Sequence, residues 1–185
     1  MADVSGLRYD PAFHPHSVED SPMKLLRAVT IGLLLLAGTN VLAQSDAEKA
    51  LEKLKSLVGT WQGKTAKGQP VEDTFSLTAG GTAVMGDDRM GSEEMLSLFY
   101  VDGNRLLMTH FCPSGNQPRM QATISPDLKT ISFDFLDATN LPSPQAGHMH
   151  HAIYIFSDSD HYSQEWTWMQ DGKGTTYRSE MQRKK

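Results

Sequence analysis

From Thr60 to Gln182 the chain is a succession of short segments with period-two alternation, each closed by a turn signal, and few folds accommodate that pattern. The turn signals are Ala66-Lys67-Gly68-Gln69-Pro70, Gly80-Gly81, Asp102-Gly103, Ser125-Pro126-Asp127, Asp158-Ser159-Asp160 and Asp171-Gly172. Between them lie candidate strands at 60–66, 70–78, 81–88, 93–101, 104–111, 118–125, 129–137, 149–157, 160–169 and 174–182. Leu106, Met108 and His110 oppose Leu107, Thr109 and Phe111. Ile131, Phe133 and Phe135 oppose Ser132 and Asp134, and Tyr162, Gln164, Trp166 and Trp168 oppose Ser163, Glu165 and Thr167. A meander this long leaves two unpaired edges unless it closes on itself. The expected fold is therefore all-β: a closed antiparallel meander barrel of about ten strands. The longer connections, 112–118 and 138–148, hold Pro113, Gly115, Pro118, Pro142, Pro144 and Gly147 and are expected to frame a mouth.

Before the strands, one amphipathic helix is expected over 46–57, capping an end of the barrel. Ser45 is its N-cap, Asp46 and Glu48 lie in the first turn, Leu51, Leu54 and Leu57 recur at helical spacing, and Gly59 closes it. Residues 23–43 have the make-up of a cleavable signal peptide. Lys24 and Arg27 precede an apolar run from Ala28 to Ala37, and Val41-Leu42-Ala43 ends it with cleavage expected after Ala43. That run is about ten residues, against the roughly 20 of a membrane span. Residues 1–22 carry Pro11, Pro15 and Pro22 without apolar periodicity and are read as a disordered extension or a start assigned upstream of Met23.

Residues 44–185 are then one domain, exported to the periplasm or the exterior, with no stable membrane insertion. They hold 14 Lys and Arg against 18 Asp and Glu, a balance of −4, so no basic stripe invites nucleic acid. The chain's single cysteine, Cys112, cannot form an internal disulfide and is expected to be buried or half-buried.

The junction Leu57-Val58-Gly59-Thr60-Trp61-Gln62-Gly63 resembles the calycin superfamily, which groups lipocalins, fatty-acid-binding proteins and nitrobindin-like barrels. Ten strands and the Gly-x-Trp-x-Gly start look closer to the ten-stranded nitrobindin-like and fatty-acid-binding barrels than to lipocalins. The segments 106–119, 133–140, 148–151 and 165–168 also resemble a bacterial secreted, lipocalin-like family of unknown function. The resemblance implies a barrel with a cavity and gives Gly59, Trp61 and Gly63 structural roles, with Trp61 plugging the closed end.

Several side chains are candidates for chemistry. His148 and His150 form a His-x-His pair that projects two imidazoles to one side of a strand, the arrangement a strand-built zinc site needs; a polar lining of the mouth explains them equally. His110, Arg119, His151 and Glu165 are expected as polar ligand contacts inside the barrel, with Arg119 able to meet a carboxylate as in fatty-acid-binding relatives. The alternative places Arg119 and Glu165 outside, paired across strands. The nitrobindin resemblance implies haem on one axial histidine, for which His151 and His161 are the residues at comparable places, although Lys64-Thr65 breaks the glycine pattern of those proteins. No Gly-x-Ser-x-Gly elbow is present, and Cys112 near His110 is a slender basis for nucleophilic catalysis. Eight methionines from Met85 to Met181 suit an adaptable apolar interior. The reading reached is a barrel that binds a small apolar or amphipathic molecule without a required cofactor or metal. A nitrobindin-like haem protein acting on reactive nitrogen species and a filled structural or partner-binding barrel are the alternatives.

Overall fold

A computed structural model describes residues 44–185; the expected signal peptide at 23–43 and the segment 1–22 lie outside the described residues. Helix α1 spans Asp46–Lys55 and begins with a complete capping box. The Ser45 side chain accepts the Glu48 N–H at 3.2 Å, and the Glu48 carboxylate accepts the Ser45 N–H at 2.7 Å, so two orphan donors of the first turn are satisfied. Ala47, Ala50, Leu51 and Leu54 form its buried face, packed on strands β2 to β6 defined below. The helix stops two residues before the expected end. Leu57 and Val58 donate to Leu54 and Lys55, three residues back, which tightens the last turn, and Gly59 then adopts a φ of 124° that favours glycine.

Ten antiparallel strands follow: β1 Gly59–Thr65, β2 Pro70–Thr78, β3 Ala83–Met90, β4 Glu93–Asp102, β5 Arg105–Phe111, β6 Gln117–Ile124, β7 Thr130–Thr139, β8 His148–Phe156, β9 His161–Gln170 and β10 Lys173–Arg183. Each pairs with the next, and β10 pairs with β1 from Trp61↔Arg183 to Thr65↔Ser179, so the barrel is closed. The expected meander is the observed one. Strand β3 starts at Ala83 rather than 81 because Ala79–Gly81 forms a short 3-10 turn with left-handed Gly80 and Gly81.

The two ends of the barrel differ. Meander connectivity puts 79–82, 103–104, 125–129 and 157–160 at the end where β1 begins, beside α1, and puts 112–116 and 140–147 at the other. At the α1 end Trp61 is buried and its indole N–H donates to Leu57 O at 2.6 Å. Tyr162 meets the indole edge-on at 4.8 Å, and the Arg183 guanidinium lies 4.1 Å from the ring centroid. Arg183 also donates to Val58 O and Ser56 O, each at 2.9 Å, and to Ser159 O at 3.1 Å. One side chain thereby satisfies carbonyls at the helix end and seals the tryptophan. Above this plug Phe75, Phe99, Phe133, Tyr154 and Tyr162 pack ring against ring at 5.6–6.5 Å between centroids.

At the opposite end the wall loosens. Pairing of β5 with β6 covers only Leu107–Thr109, and β7 pairs with β8 only as far as Asp134↔His151. Register shifts at Arg119/Met120 and Met149/His151 accompany this splaying, as bulges do at barrel rims.

Candidate functional site

Strand alternation carries a set of polar side chains into the barrel among the apolar ones. On β2, Val71, Asp73 and Phe75 point inward; on β3, Val84, Gly86 and Asp88 do. Register places Asp73 directly opposite Asp88, so two carboxyl groups face each other in the interior. Like charges at directly opposed positions repel, and burial penalises both. Desolvation therefore pushes Asp73 up to about 6, and burial with the neighbouring Asp73 charge pushes Asp88 well above the usual carboxylate range. Both shifts run the same way, so the pair holds a proton more readily than two free carboxylates would.

The pair sits within a chain of hydrogen bonds. The Tyr162 hydroxyl and the Gln164 amide, at 2.9 Å, both donate to Asp73 Oδ2, and the Trp166 N–H donates to Gln164 Oε1 at 3.2 Å. On the other side Ser97 Oγ lies 3.5 Å from Asp88 Oδ2 and 3.0 Å from His110 Nδ1. Burial pushes His110 down to about 4, so its imidazole is neutral, and it packs on the Trp166 ring at 4.8 Å. With Ser97 donating to Asp88, His110 donates through Nδ1 and leaves Nε2 bare. Asp73 Oδ1, Asp88 Oδ1, His110 Nε2 and Tyr154 OH have no protein partner.

A void of about 30 Å³ touches Asp73, Asp88, Gln164 and Trp166, enough for about one or two waters. A separate, larger cavity of about 190 Å³ lies next to it at the open end, lined by Met90, Met95, Cys112, Met149, Trp168 and Tyr177. Met90, Met95, Met149 and Tyr177 line both spaces. Gly147 is what brings the 140–147 connection onto the mouth, since a Cβ there would sit 2.2 Å from the Trp168 ring. A wider depression of about 610 Å³ on the outer wall, bordered by Gln62, Lys64, Glu72 and Glu180, is open to solvent and holds no convergent buried polar group.

Of the four side chains expected as interior contacts, only His110 is inside. Arg119 is on the outer wall, where its guanidinium makes a two-pronged contact with Asp137, the Nε–Oδ1 arm at 2.7 Å. His151 Nδ1 lies 2.9 Å from Asp134 Oδ1, and Glu165 pairs with Arg178 across β9 and β10, both outside. Period-two geometry forces this outcome: Met120, Ala152 and Trp166, one position away, take the inward places. No arginine lines the mouth cavity, and Arg89, which borders the inner void, has its side chain 54% exposed on the outer face.

His161 lies at the α1 end with Nδ1 3.0 Å from Asp158, in the turn joining β8 and β9. Neither haem candidate faces the interior, and the spaces of about 30 and 190 Å³ are below the roughly 300–1,000 Å³ of pockets for larger ligands, so these residues do not fit a haem. His148 and His150 do meet, Nε2 to Nδ1 at 3.1 Å, both packed on Phe135 where β7 and β8 splay, with His148 Nδ1 on Ala146 O at 2.8 Å. Burial first, then the neighbouring imidazoles, hold His150 below the usual histidine range. Among the described residues no group of three or more His, Cys, Asp or Glu gathers to hold a metal. Cys112 is half-buried at the mouth, its Sγ 2.7 Å from Ser114 Oγ.

Sequence reasoning passed over Asp73, Asp88, Ser97 and Gln164. A signal existed for the first two: each falls in phase with apolar neighbours, Asp73 between Val71 and Phe75, Asp88 between Gly86 and Met90.

No family model matches the chain, and no curated protein matches it. Solved structures do. One is the crystal structure of Rv2717c from M. tuberculosis, with 18% identity and a TM-score of 0.53 over 74% of this chain and 98% of that one. Another is a protein of unknown function from the DUF3598 family of Nostoc punctiforme, with 14% identity and a TM-score of 0.50; the match covers 71% of this chain and about half, 49%, of that chain. At such identities the likeness is one of fold, a closed antiparallel barrel.

Proposed function

We propose that this is a binding barrel that holds a small amphipathic molecule at its open end, and that it works after export. The observation that carries the reading is the cavity of about 190 Å³ walled by Met90, Met95, Met149, Trp168 and Tyr177, which adjoins a void with a buried polar floor. Apolar walls with a few convergent polar groups are the general make-up of small-molecule sites. The thioethers supply an adaptable surface, and Trp168 a flat one. The Gly59–Trp61 start and the ten-stranded closure support a calycin-like reading of the fold.

The volume sets the ligand's size. It is below the roughly 300 Å³ at which pockets for drug-sized molecules begin, so a fragment-sized molecule fits and a long acyl chain does not. Ligand-observed NMR against a library of such fragments tests this. Binders are expected to shift the Trp168 indole resonance and to be lost in Met95→Trp, which fills the mouth. If no fragment moves Trp168, the cavity is not a binding site. Export is tested separately, by N-terminal sequencing of the protein recovered from outside the cytoplasm, with Gln44 expected first.

A further inference from the structure

We propose that the mouth cavity selects molecules with a cationic nitrogen head, an ammonium or its equivalent, that reaches down to Asp73 and Asp88; this rests on the binding reading above. Four residues, Met90, Met95, Met149 and Tyr177, line both the mouth and the inner void, so only side chains, three of them flexible thioethers, part the mouth from the carboxyl pair. Asp73 is 0% exposed and Asp88 4%, and each has one oxygen, Oδ1, without a protein partner. The donors within reach of Asp73, Tyr162 and Gln164, are already committed to its other oxygen. The floor sets two buried carboxyl groups face to face, each with an unpartnered oxygen and neither in an ion pair among the described residues.

Among the described residues no basic side chain pairs with either carboxyl group. Arg89 contributes to the wall of the void, but its side chain is 54% exposed on the outer face, 3.5 Å from Asp87 and from Glu94. The walls add to the match: Trp166 and Tyr177 are aromatic side chains lining the void beside the carboxyl pair, and Glu93 adds an acidic group at the mouth. A carboxylate head would meet like charge and find no cationic partner. A neutral hydroxyl would satisfy an oxygen without neutralising an acidic group.

Three probes of one size and different heads decide the matter: benzylammonium, benzyl alcohol and benzoate, each titrated into the protein at neutral pH while the Trp168 indole resonance is followed. Benzylammonium is expected to bind about tenfold more tightly than benzyl alcohol, the scale of a desolvated cation contact, and benzoate not to bind. The double variant Asp73→Asn/Asp88→Asn, which removes both acidic groups, is expected to bring amine binding down to that of the alcohol. Equal binding of amine and alcohol by the unaltered protein, or binding of benzoate, overturns the charge selection and leaves the cavity reading standing. Silence from all three probes overturns both. The comparison on the unaltered protein requires no variant to fold.

Discussion

Trp61 shows how much one side chain can be asked to do at the sealed end. It is 1% exposed, hydrogen-bonded to Leu57, and clasped between Tyr162 and Arg183. Trp61→Ala is expected to lower the free energy of unfolding by about 3–5 kcal/mol in a urea titration, through lost burial and the cavity left behind. Gly63→Ala acts on the neighbouring pair. Its Cβ would lie 2.3 Å from Glu180 O and 2.5 Å from Met181 Sδ, so β1 and β10 must part, and hydrogen exchange in those two strands is expected to accelerate more than in β4 and β5. Residue-level function was less legible than residue-level structure. Arg119, His151 and Glu165 were plausible by chemistry alone, but whether a strand residue faces in or out is decided by phase, and a one-residue step reverses it. Asp73 and Asp88 had the right phase and the wrong polarity, which is the mark of an interior built for more than packing.

Among the elements, α1 was legible because a capping box and a leucine stripe are local signals. Ser45→Ala is expected to cost about 1 kcal/mol, the usual value of an N-cap, measurable as a lower denaturation midpoint with an unchanged slope. The strands were legible through alternation and through turns such as Asp102-Gly103 and Asp171-Gly172, where φ is positive at Gly103, Asp171 and Gly172. The start of β3 was misread because Ala79 also adopts a positive φ of 50°, which nothing in its composition announces. The end of strand pairing between β7 and β8 was equally hidden, since a bulge follows from competition between neighbours rather than from either strand's own sequence.

For the molecule as a whole, the buried ionisable groups pull the pH dependence of stability in opposite directions. Asp73 is raised from 3.8 to about 6, so its contribution is fully present below pH 3.8 and is lost as pH rises through 6; Asp88 acts in the same direction at higher pH. His110 is lowered from 6.5 to about 4, so its contribution is present above pH 6.5 and is lost as pH falls through 4. The two contributions therefore oppose each other across that window. Asp73→Asn is expected to tilt stability upward from pH 4 to 8, and His110→Phe to tilt it downward, read from chemical denaturation at several pH values. Two variants with the slope of the unaltered protein would show that neither group titrates as its burial requires.

The barrel closes by joining β10 to β1, with Arg183 on the last strand reaching back to Ser56 and Val58 before the first. That geometry sets a clock. During synthesis or translocation β1 to β9 emerge with one seam open, and its partner is the last strand to arrive. Until then the open edge of β1 invites pairing with a neighbouring chain, so the interval before closure is when this protein is most exposed to aggregation. Once Arg183 lands on Trp61 that interval ends.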